Sequence, residues 1–138
     1  MNMSDEKLNI SPKKLPPTSY KLVTYKDLIV WQKSVELVVA VYNLTEQFPK
    51  SEIYGLTSQM RRCAVSIPSN IAEGRRRGTK KDYCQFLTVA YGSGAELETQ
   101  IEITKRLSFS ENLDYKKADS LLNEVMRMLN KMIGELRL

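Results

Sequence analysis

The 138-residue sequence contains no histidine. Histidine is the commonest general acid or base at neutral pH, the base in most serine and cysteine triads and a frequent metal ligand. Its absence excludes histidine-based acid–base catalysis, histidine-dependent triads and metal sites with histidine ligands. Many hydrolases and metalloenzymes depend on these chemistries, so the composition argues against an enzyme.

Motifs for metals and phosphates are also missing. Cys63 and Cys84 are the only cysteines, and their separation fits no zinc-binding pattern. Many four-helix bundles hold two metals through Glu-x-x-His pairs, which this sequence cannot supply without histidine. No glycine-rich stretch carries the Gly-Lys-Ser/Thr ending of a phosphate-binding loop. We therefore expect a protein without enzymatic activity, metal or cofactor.

Long apolar runs are absent too. No stretch approaches the roughly 20 residues needed to span a bilayer, and the first residues lack the apolar segment of a secretory signal. We therefore expect a cytoplasmic protein that has no membrane partner. Both cysteines fall in helical apolar patterns, so they are expected to be reduced core residues rather than a disulfide.

Positive charge is present in excess and is unevenly distributed. The formal net charge is +5, and the segment 61–81 alone carries more positive charge than that. Its cations are Arg61, Arg62, Arg75, Arg76, Arg77, Lys80 and Lys81. A basic segment of this kind indicates an anionic partner, with nucleic acid ahead of a membrane surface. A solvated loop between helices explains the same charges equally well, so both interpretations stay open at this point.

Residues 1–22 are rich in serine, proline and lysine and show little periodicity, which predicts a flexible basic tail. The folded domain is expected to cover residues 23–138. Thr24 and Asp27 have the spacing of a helix-capping box at its start. The first helix is predicted to follow and to end before Pro49. Its predicted core stripe is Leu28, Trp31, Val35, Val38 and Tyr42.

The second helix has the clearest apolar periodicity in the chain. The apolar side chains that recur at spacings of three and four are Leu56, Met60, Cys63, Ala64, Ile67 and Ile71. Pro68 lies within this pattern, and because the phase continues across it, we expect one helix that is kinked there. The helix is predicted to end between Gly74 and Gly78, where glycine can adopt a left-handed C-cap.

Two more helices are predicted at about 80–108 and 115–136, the first of them starting at Thr79. Their core stripes are Tyr83, Leu87, Ala90, Gly94, Leu97 and Ile101, then Ala118, Leu121, Val125, Met128 and Met132. Gly92 and Gly94 each lower the stability of the helix by about 1 kcal/mol relative to alanine. We expect close packing at these positions to offset that loss. Four amphipathic helices joined by short loops predict an all-α fold, an antiparallel up-down-up-down four-helix bundle.

A polar stripe borders the apolar face of the second helix, and another borders that of the third. Their members are Gln59, Ser66, Asn70, Glu73, Ser93, Glu96 and Gln100. Polar groups at the edge of a core are part-buried and need hydrogen-bond partners. The stripes therefore predict either a network that fixes helix register within one protomer or a contact between protomers.

Three segments carry a resemblance to a known family: LTSQMRRCAVSIPSNIAEGRRRG at 56–78, YCQFL at 83–87 and AYGSGAEL at 90–97. They are similar to the four-helix-bundle family of 23S rRNA intervening-sequence proteins. The opening YKDLIVW also fits, so the resemblance extends over about residues 24–136, and SIPSNIAEG is its most specific part. Carried over by position, the motif residues are Gln59, Arg62, Ser66, Asn70, Glu73, Gly74, Ser93 and Glu96.

The resemblance implies bundles that assemble as ring-like homopentamers and have no enzymatic activity. A relative, the accessory variability protein of diversity-generating retroelements, is a basic pentamer that binds nucleic acid and a reverse transcriptase. By this analogy we expect a nucleic-acid-binding accessory protein that contacts RNA or DNA, and a partner protein such as a reverse transcriptase belongs to the same expectation. The alternative is a protein-interaction scaffold whose ring docks a partner protein and has no direct nucleic-acid role.

Binding to nucleic acid is expected to be electrostatic, tolerant of sequence and centred on the seven cations of segment 61–81. Lys80 and Lys81 would meet phosphate beside the N-terminus of the third helix. Few aromatic residues neighbour these cations in the sequence, and Tyr83 is assigned to the core. We therefore expect base stacking to contribute little.

Overall fold

The computed structural model describes residues 24–138, so the predicted tail at 1–22 lies outside the described residues. The helices are α1 (Ile29–Thr45), α2 (Leu56–Arg77), α3 (Lys80–Lys105) and α4 (Lys116–Leu136). Short 3-10 turns precede α1 at Tyr25–Asp27, follow it at Lys50–Glu52 and precede α4 at Ser108–Ser110. None of the helices in the described part of the chain is both long and apolar enough to cross a bilayer.

The four helices form a closed bundle. Each helix packs against the next along the chain, and α1 also packs against α4. Because every connection is short, consecutive helices run antiparallel. The sequence prediction of an all-α, up-down-up-down four-helix bundle is therefore confirmed.

All four helices contribute to one apolar core. Its fully buried members include Leu37 and Val41 of α1, Met60, Ile67 and Ile71 of α2, Leu87 and Leu97 of α3, and Val125 and Leu129 of α4. The predicted stripes of α2 and α3 are confirmed almost residue for residue. Since these side chains come from every helix, no helix can leave the bundle without exposing apolar surface to water.

The core stripe predicted for α1 is confirmed only in part, since Leu28, Trp31 and Val38 pack half-buried against the core. Tyr42 is 42% exposed, and the other predicted members lie half-buried on the flank of the helix. The structure instead buries Val30, Leu37, Ala40, Val41 and Leu44. The reason lies in the run LVVAVY at 37–42, which is apolar at every position and so fits two helical phases equally well. Packing against α2 and α4, rather than periodicity, selects the phase.

The capping box forms at the predicted residues, Thr24 and Asp27, but it does not cap the first α-helix. Thr24 Oγ1 accepts a hydrogen bond from the backbone N–H of Lys26 at 3.2 Å, and Asp27 Oδ2 accepts one from that of Thr24 at 3.2 Å. These bonds cap the 3-10 turn Tyr25–Asp27 rather than α1. Gln32 Nε2, on the first turn of α1, donates to the Lys26 carbonyl at 2.9 Å and so holds the turn against the helix.

The prediction that one helix continues across Pro68 is confirmed, since Pro68 lies buried inside α2, whereas the kink at Pro68 stays a prediction. The helix ends where Gly78 adopts the left-handed conformation, with φ of +90°. Thr79 then caps α3, because its Oγ1 accepts a hydrogen bond from the N–H of Asp82 at 3.1 Å. Only these two residues separate α2 from α3. The end of one helix and the start of the next are therefore fixed side by side.

Three glycines inside helices have different surroundings. A Cβ added at Gly74 would lie 2.7 Å from Cβ of Phe86, so glycine is what lets α2 approach α3 there. Gly94 makes room for the thioether of Met126 on α4. A Cβ at Gly92 would meet nothing within 4 Å. The expectation that packing offsets the cost of glycine in α3 therefore holds for Gly94 but not for Gly92.

Candidate nucleic-acid interface

Five of the seven predicted cations lie together at one end of the bundle. They are Arg75, Arg76, Arg77, Lys80 and Lys81, which we call the basic turn. The two-residue connection between α2 and α3 keeps them within one short stretch. Arg75 is half-buried, and the other four are exposed. Glu73 and Asp82 are the acidic residues nearest in sequence, so five positive charges against two negative ones leave a local charge of +3.

Arg61 and Arg62 lie apart from the basic turn. At 1.5 Å per residue, Arg61 is about 21 Å along α2 from Arg75. Arg61 Nε donates to Thr45 Oγ1 at 2.8 Å, and its Nη2 donates to Glu46 Oε1 at 3.1 Å. Its guanidinium also lies 4.4 Å from the centre of the Tyr42 ring. The side chain is only 25% exposed and binds α2 to α1.

The structure therefore divides the predicted cluster into two parts. Arg62 is exposed on the middle of α2, next to Arg61 in sequence but on the solvent side of the helix. The sequence placed all seven cations in one segment, but the length of α2 separates two of them from the remaining five. The basic turn is the part that has the charge density of an anion-binding surface.

Two aromatic rings lie against the arginines of the basic turn. The Arg76 guanidinium is 5.5 Å from the centre of the Tyr25 ring, and that of Arg77 is 4.9 Å from the centre of the Phe86 ring. The Tyr25 ring in turn meets the Trp31 ring edge-on, with centres 5.3 Å apart. Few aromatic residues neighbour these cations in the sequence, but the fold brings two aromatic rings into contact with them.

The antiparallel topology explains why the sequence does not predict the contacts of these rings with the arginines. The start of α1 lies beside the end of α2, which brings Tyr25 next to Arg76 although the two are far apart in sequence. Phe86 reaches Arg77 because it lies two turns into α3, on the side that faces α2. Both placements follow from the bundle topology, so a pairing of the predicted helix ends would have identified them.

One arginine and one tyrosine of this region have shifted pKa values. Arg77 Nη2 donates to Glu73 Oε2 at 2.8 Å, and this hydrogen bond raises the pKa of Arg77. Tyr83, beneath the turn, packs against the core as predicted. Burial raises the pKa of the Tyr83 hydroxyl to about 12, although the Arg75 charge opposes that rise. The phenol therefore stays neutral at physiological pH and does not offset the positive charge of the basic turn.

Part of the polar stripe forms a network that joins α2 to α3. The hydroxyls of Ser66 and Ser93 share a hydrogen bond of 2.9 Å. Asn70 Nδ2 donates to the Ser66 carbonyl at 2.8 Å and to its hydroxyl at 3.0 Å. All three bonds lie within one protomer, and the Ser66–Ser93 bond, which joins the two helices, can form in only one register. For Ser66, Asn70 and Ser93, these bonds support the interpretation of the stripes as a network within one protomer.

The remaining stripe residues behave differently. Gln100 is buried, and its Oε1 has no hydrogen-bond partner among the described residues. It lies close to the Cys63 thiol, whose pKa is raised by burial and by the nearby Glu96 carboxylate. Gln59, Glu73 and Glu96 are exposed, so the prediction that every stripe residue is part-buried is wrong for these three. Their positions border the apolar seam, but their side chains extend into solvent.

No group of three or more cysteine, aspartate or glutamate side chains in residues 24–138 is arranged to hold a metal ion. Both cysteines are free thiols, Cys63 buried and Cys84 half-buried, as the sequence predicted. The basic turn is thus the feature of the described bundle that most directly indicates a ligand.

A family model described as 23S rRNA-intervening sequence protein matches residues 26–131, which is most of the chain and covers α1, α2, α3 and the larger part of α4. No curated protein matches the sequence. The matched range contains the basic turn, the two serines that join α2 to α3, and Phe86. Tyr25 lies one residue before its start.

Proposed function

This chain belongs to the 23S rRNA-intervening sequence protein family, and we propose that it is a non-enzymatic accessory protein that binds the phosphate backbone of RNA or DNA through the basic turn. The observation that carries this proposal is the concentration of five cations at one end of the bundle. Contacts of lysine and arginine side chains with phosphates supply affinity but do not distinguish one base from another. Binding is therefore expected to tolerate many nucleic-acid sequences.

The helix start at Lys80 and Lys81 adds to the attraction for phosphate. Their backbone N–H groups lie in the first turn of α3, where intrahelical acceptors are lacking. The helix dipole places partial positive charge at the same point. Thr79 already satisfies the N–H of Asp82, so the two lysine amides remain for an anion.

The proposal is tested by fluorescence anisotropy with a labelled structured RNA, titrated at several salt concentrations. With three to five phosphates contacted, affinity should fall roughly 30- to 250-fold between about 50 and 200 mM salt. A matched control is the triple variant Lys50→Ala, Lys116→Ala, Lys117→Ala, which removes three charges from the opposite end of the bundle and should keep the slope. Absence of binding at the lowest salt would favour the scaffold alternative, in which a partner protein docks on the bundle.

We propose further that the protein assembles into a homo-oligomer, which the family resemblance implies to be a pentamer. Apolar side chains exposed on three helices would be available for a contact between copies. They include Ile29 and Val39 of α1, Val65 of α2, and Val89 and Ile103 of α3. Each copy would add a formal charge of +5 to the assembly and strengthen its field.

Sedimentation equilibrium at micromolar concentration measures the assembly directly. The expected result is a species with five times the 15.8 kDa mass of the chain. A single species at the monomer mass would contradict the proposal, and a different multiple would retain assembly but correct its number.

A further inference from the structure

We propose that the basic turn takes an unpaired nucleic-acid strand, whose bases stack on the rings of Tyr25 and Phe86. This inference rests on the proposed function and specifies its ligand. The observation behind it is that each ring lies under the guanidinium of a neighbouring arginine, Arg76 in one case and Arg77 in the other. Cation and aromatic face are thus paired twice at the same end of the bundle.

The two rings lie on different sides of α2. Tyr25 comes from the turn before α1, and Phe86 comes from α3, the other neighbour of α2. Consecutive residues of a helix point about 100° apart, so Arg76 and Arg77 reach toward different flanks. A flexible strand that passes over the end of α2 could present one base to each ring. A duplex keeps its bases stacked inside and could offer only phosphates to the same surface.

When a strand binds, each arginine can move from the aromatic ring that it contacts to a phosphate of the strand. A guanidinium over a ring at the protein surface is held weakly, whereas a base stacked on an aromatic ring is held more strongly. If Arg76 moves to a phosphate, the face of Tyr25 becomes available to the base attached to that phosphate. Each stacked base is then expected to improve affinity by roughly five- to a hundredfold.

Both rings are held in place before any ligand arrives. Tyr25 belongs to the capped 3-10 turn and meets Trp31 edge-on. Phe86 lies where Gly74 allows α2 and α3 to approach closely. Both residues are half-buried, so part of each is held by the protein and part is accessible to solvent. A base that stacks on a fixed ring does not have to immobilise it, which lowers the entropic cost of binding.

The first test uses the unaltered protein and three labelled probes with equal numbers of phosphates per strand. These are an oligothymidine strand, an abasic strand of the same length and a DNA duplex. The single strand is expected to bind at least roughly tenfold more tightly than the abasic strand or the duplex. Equal affinity for the single and abasic strands would overturn the inference while leaving phosphate binding intact. If none of the three binds at low salt, the proposed function itself is overturned.

The second test uses variants that remove the rings. The double variant Tyr25→Leu, Phe86→Leu should lose roughly tenfold or more in affinity for the single strand and keep its affinity for the duplex. Tyr54→Leu is the matched control, because Tyr54 is 95% exposed at the opposite end of the bundle. Circular dichroism verifies folding of each variant. An equal loss for the single strand and the duplex would show that the rings support the fold rather than the bases, and would overturn the inference.

Discussion

Replacing Arg75, Arg76 and Arg77 together with alanine is expected to lower the slope of log affinity against log salt by about two to three units. Affinity for RNA at about 0.1 M salt should fall at least roughly tenfold, because each lost arginine leaves one phosphate without its counter-charge. The three residues supply most of the positive charge of the basic turn, and two of them lie over the rings of Tyr25 and Phe86.

The triple variant should remain folded. Arg76 and Arg77 are exposed, and the ion pair of Arg77 with Glu73 lies at the surface, where such pairs contribute little to stability. Alanine has a higher helix propensity than arginine, which partly offsets the loss of cations from the C-terminal turn of α2. Urea unfolding should therefore give a midpoint close to that of the unaltered protein.

The Lys50→Ala, Lys116→Ala, Lys117→Ala variant distinguishes local from overall charge. It lowers the net charge by the same amount but leaves the basic turn intact. If both triple variants lose affinity equally, binding depends on the net charge of the protein and has no defined surface. An unchanged affinity and slope in the arginine variant would shift the interpretation to the protein-interaction scaffold.

Gly74→Val is expected to destabilise the bundle by at least about 2 kcal/mol. The new Cβ would lie 2.7 Å from Cβ of Phe86 and 3.2 Å from Cδ1 of Tyr83, before the two methyl groups of valine are placed. The Phe86 Cβ is bonded directly to the backbone, so α3 itself must move away. That movement would loosen the most extensive helix–helix contact in the bundle, between α2 and α3.

The control for this prediction is Gly92→Val on α3. A Cβ at Gly92 meets nothing within 4 Å, so the same substitution should change stability by less than about 0.5 kcal/mol. Urea-induced unfolding, followed by circular dichroism, measures both variants. Equal midpoints for the two would mean that α2 and α3 do not approach closely at Gly74, contrary to the structure.

The sequence was sufficient to predict the architecture because three of the helices have a single apolar stripe. In α2 the spacing of Met60, Ile67 and Ile71 fits only one helical phase, and those residues are fully buried. In α1 the run at 37–42 is apolar throughout, so the phase depends on the neighbouring helices. Periodicity alone contains no information about those neighbours, and the predicted stripe therefore misses the fully buried face of the helix.

The candidate site was only partly predictable, for a related reason. A count of charges along the chain identifies Arg75–Arg77, Lys80 and Lys81, because a two-residue connection makes neighbours in sequence neighbours in space. The same count includes Arg61, although this side chain is hydrogen-bonded to Thr45 and Glu46 and lies far from the basic turn. It omits Tyr25, which reaches Arg76 only through the pairing of α1 with α2. Contacts between helices are the information that a one-dimensional pattern lacks.

The up-down-up-down topology also determines how the protein should be handled in the laboratory. With four antiparallel helices, the first described residue, Thr24, and the last, Leu138, emerge at the end of the bundle that carries the basic turn. An affinity tag or fluorescent fusion attached after Leu138 would stand beside the surface whose binding is to be measured. Surface immobilisation through an engineered cysteine at Tyr54, at the far end, leaves the basic turn facing the solution.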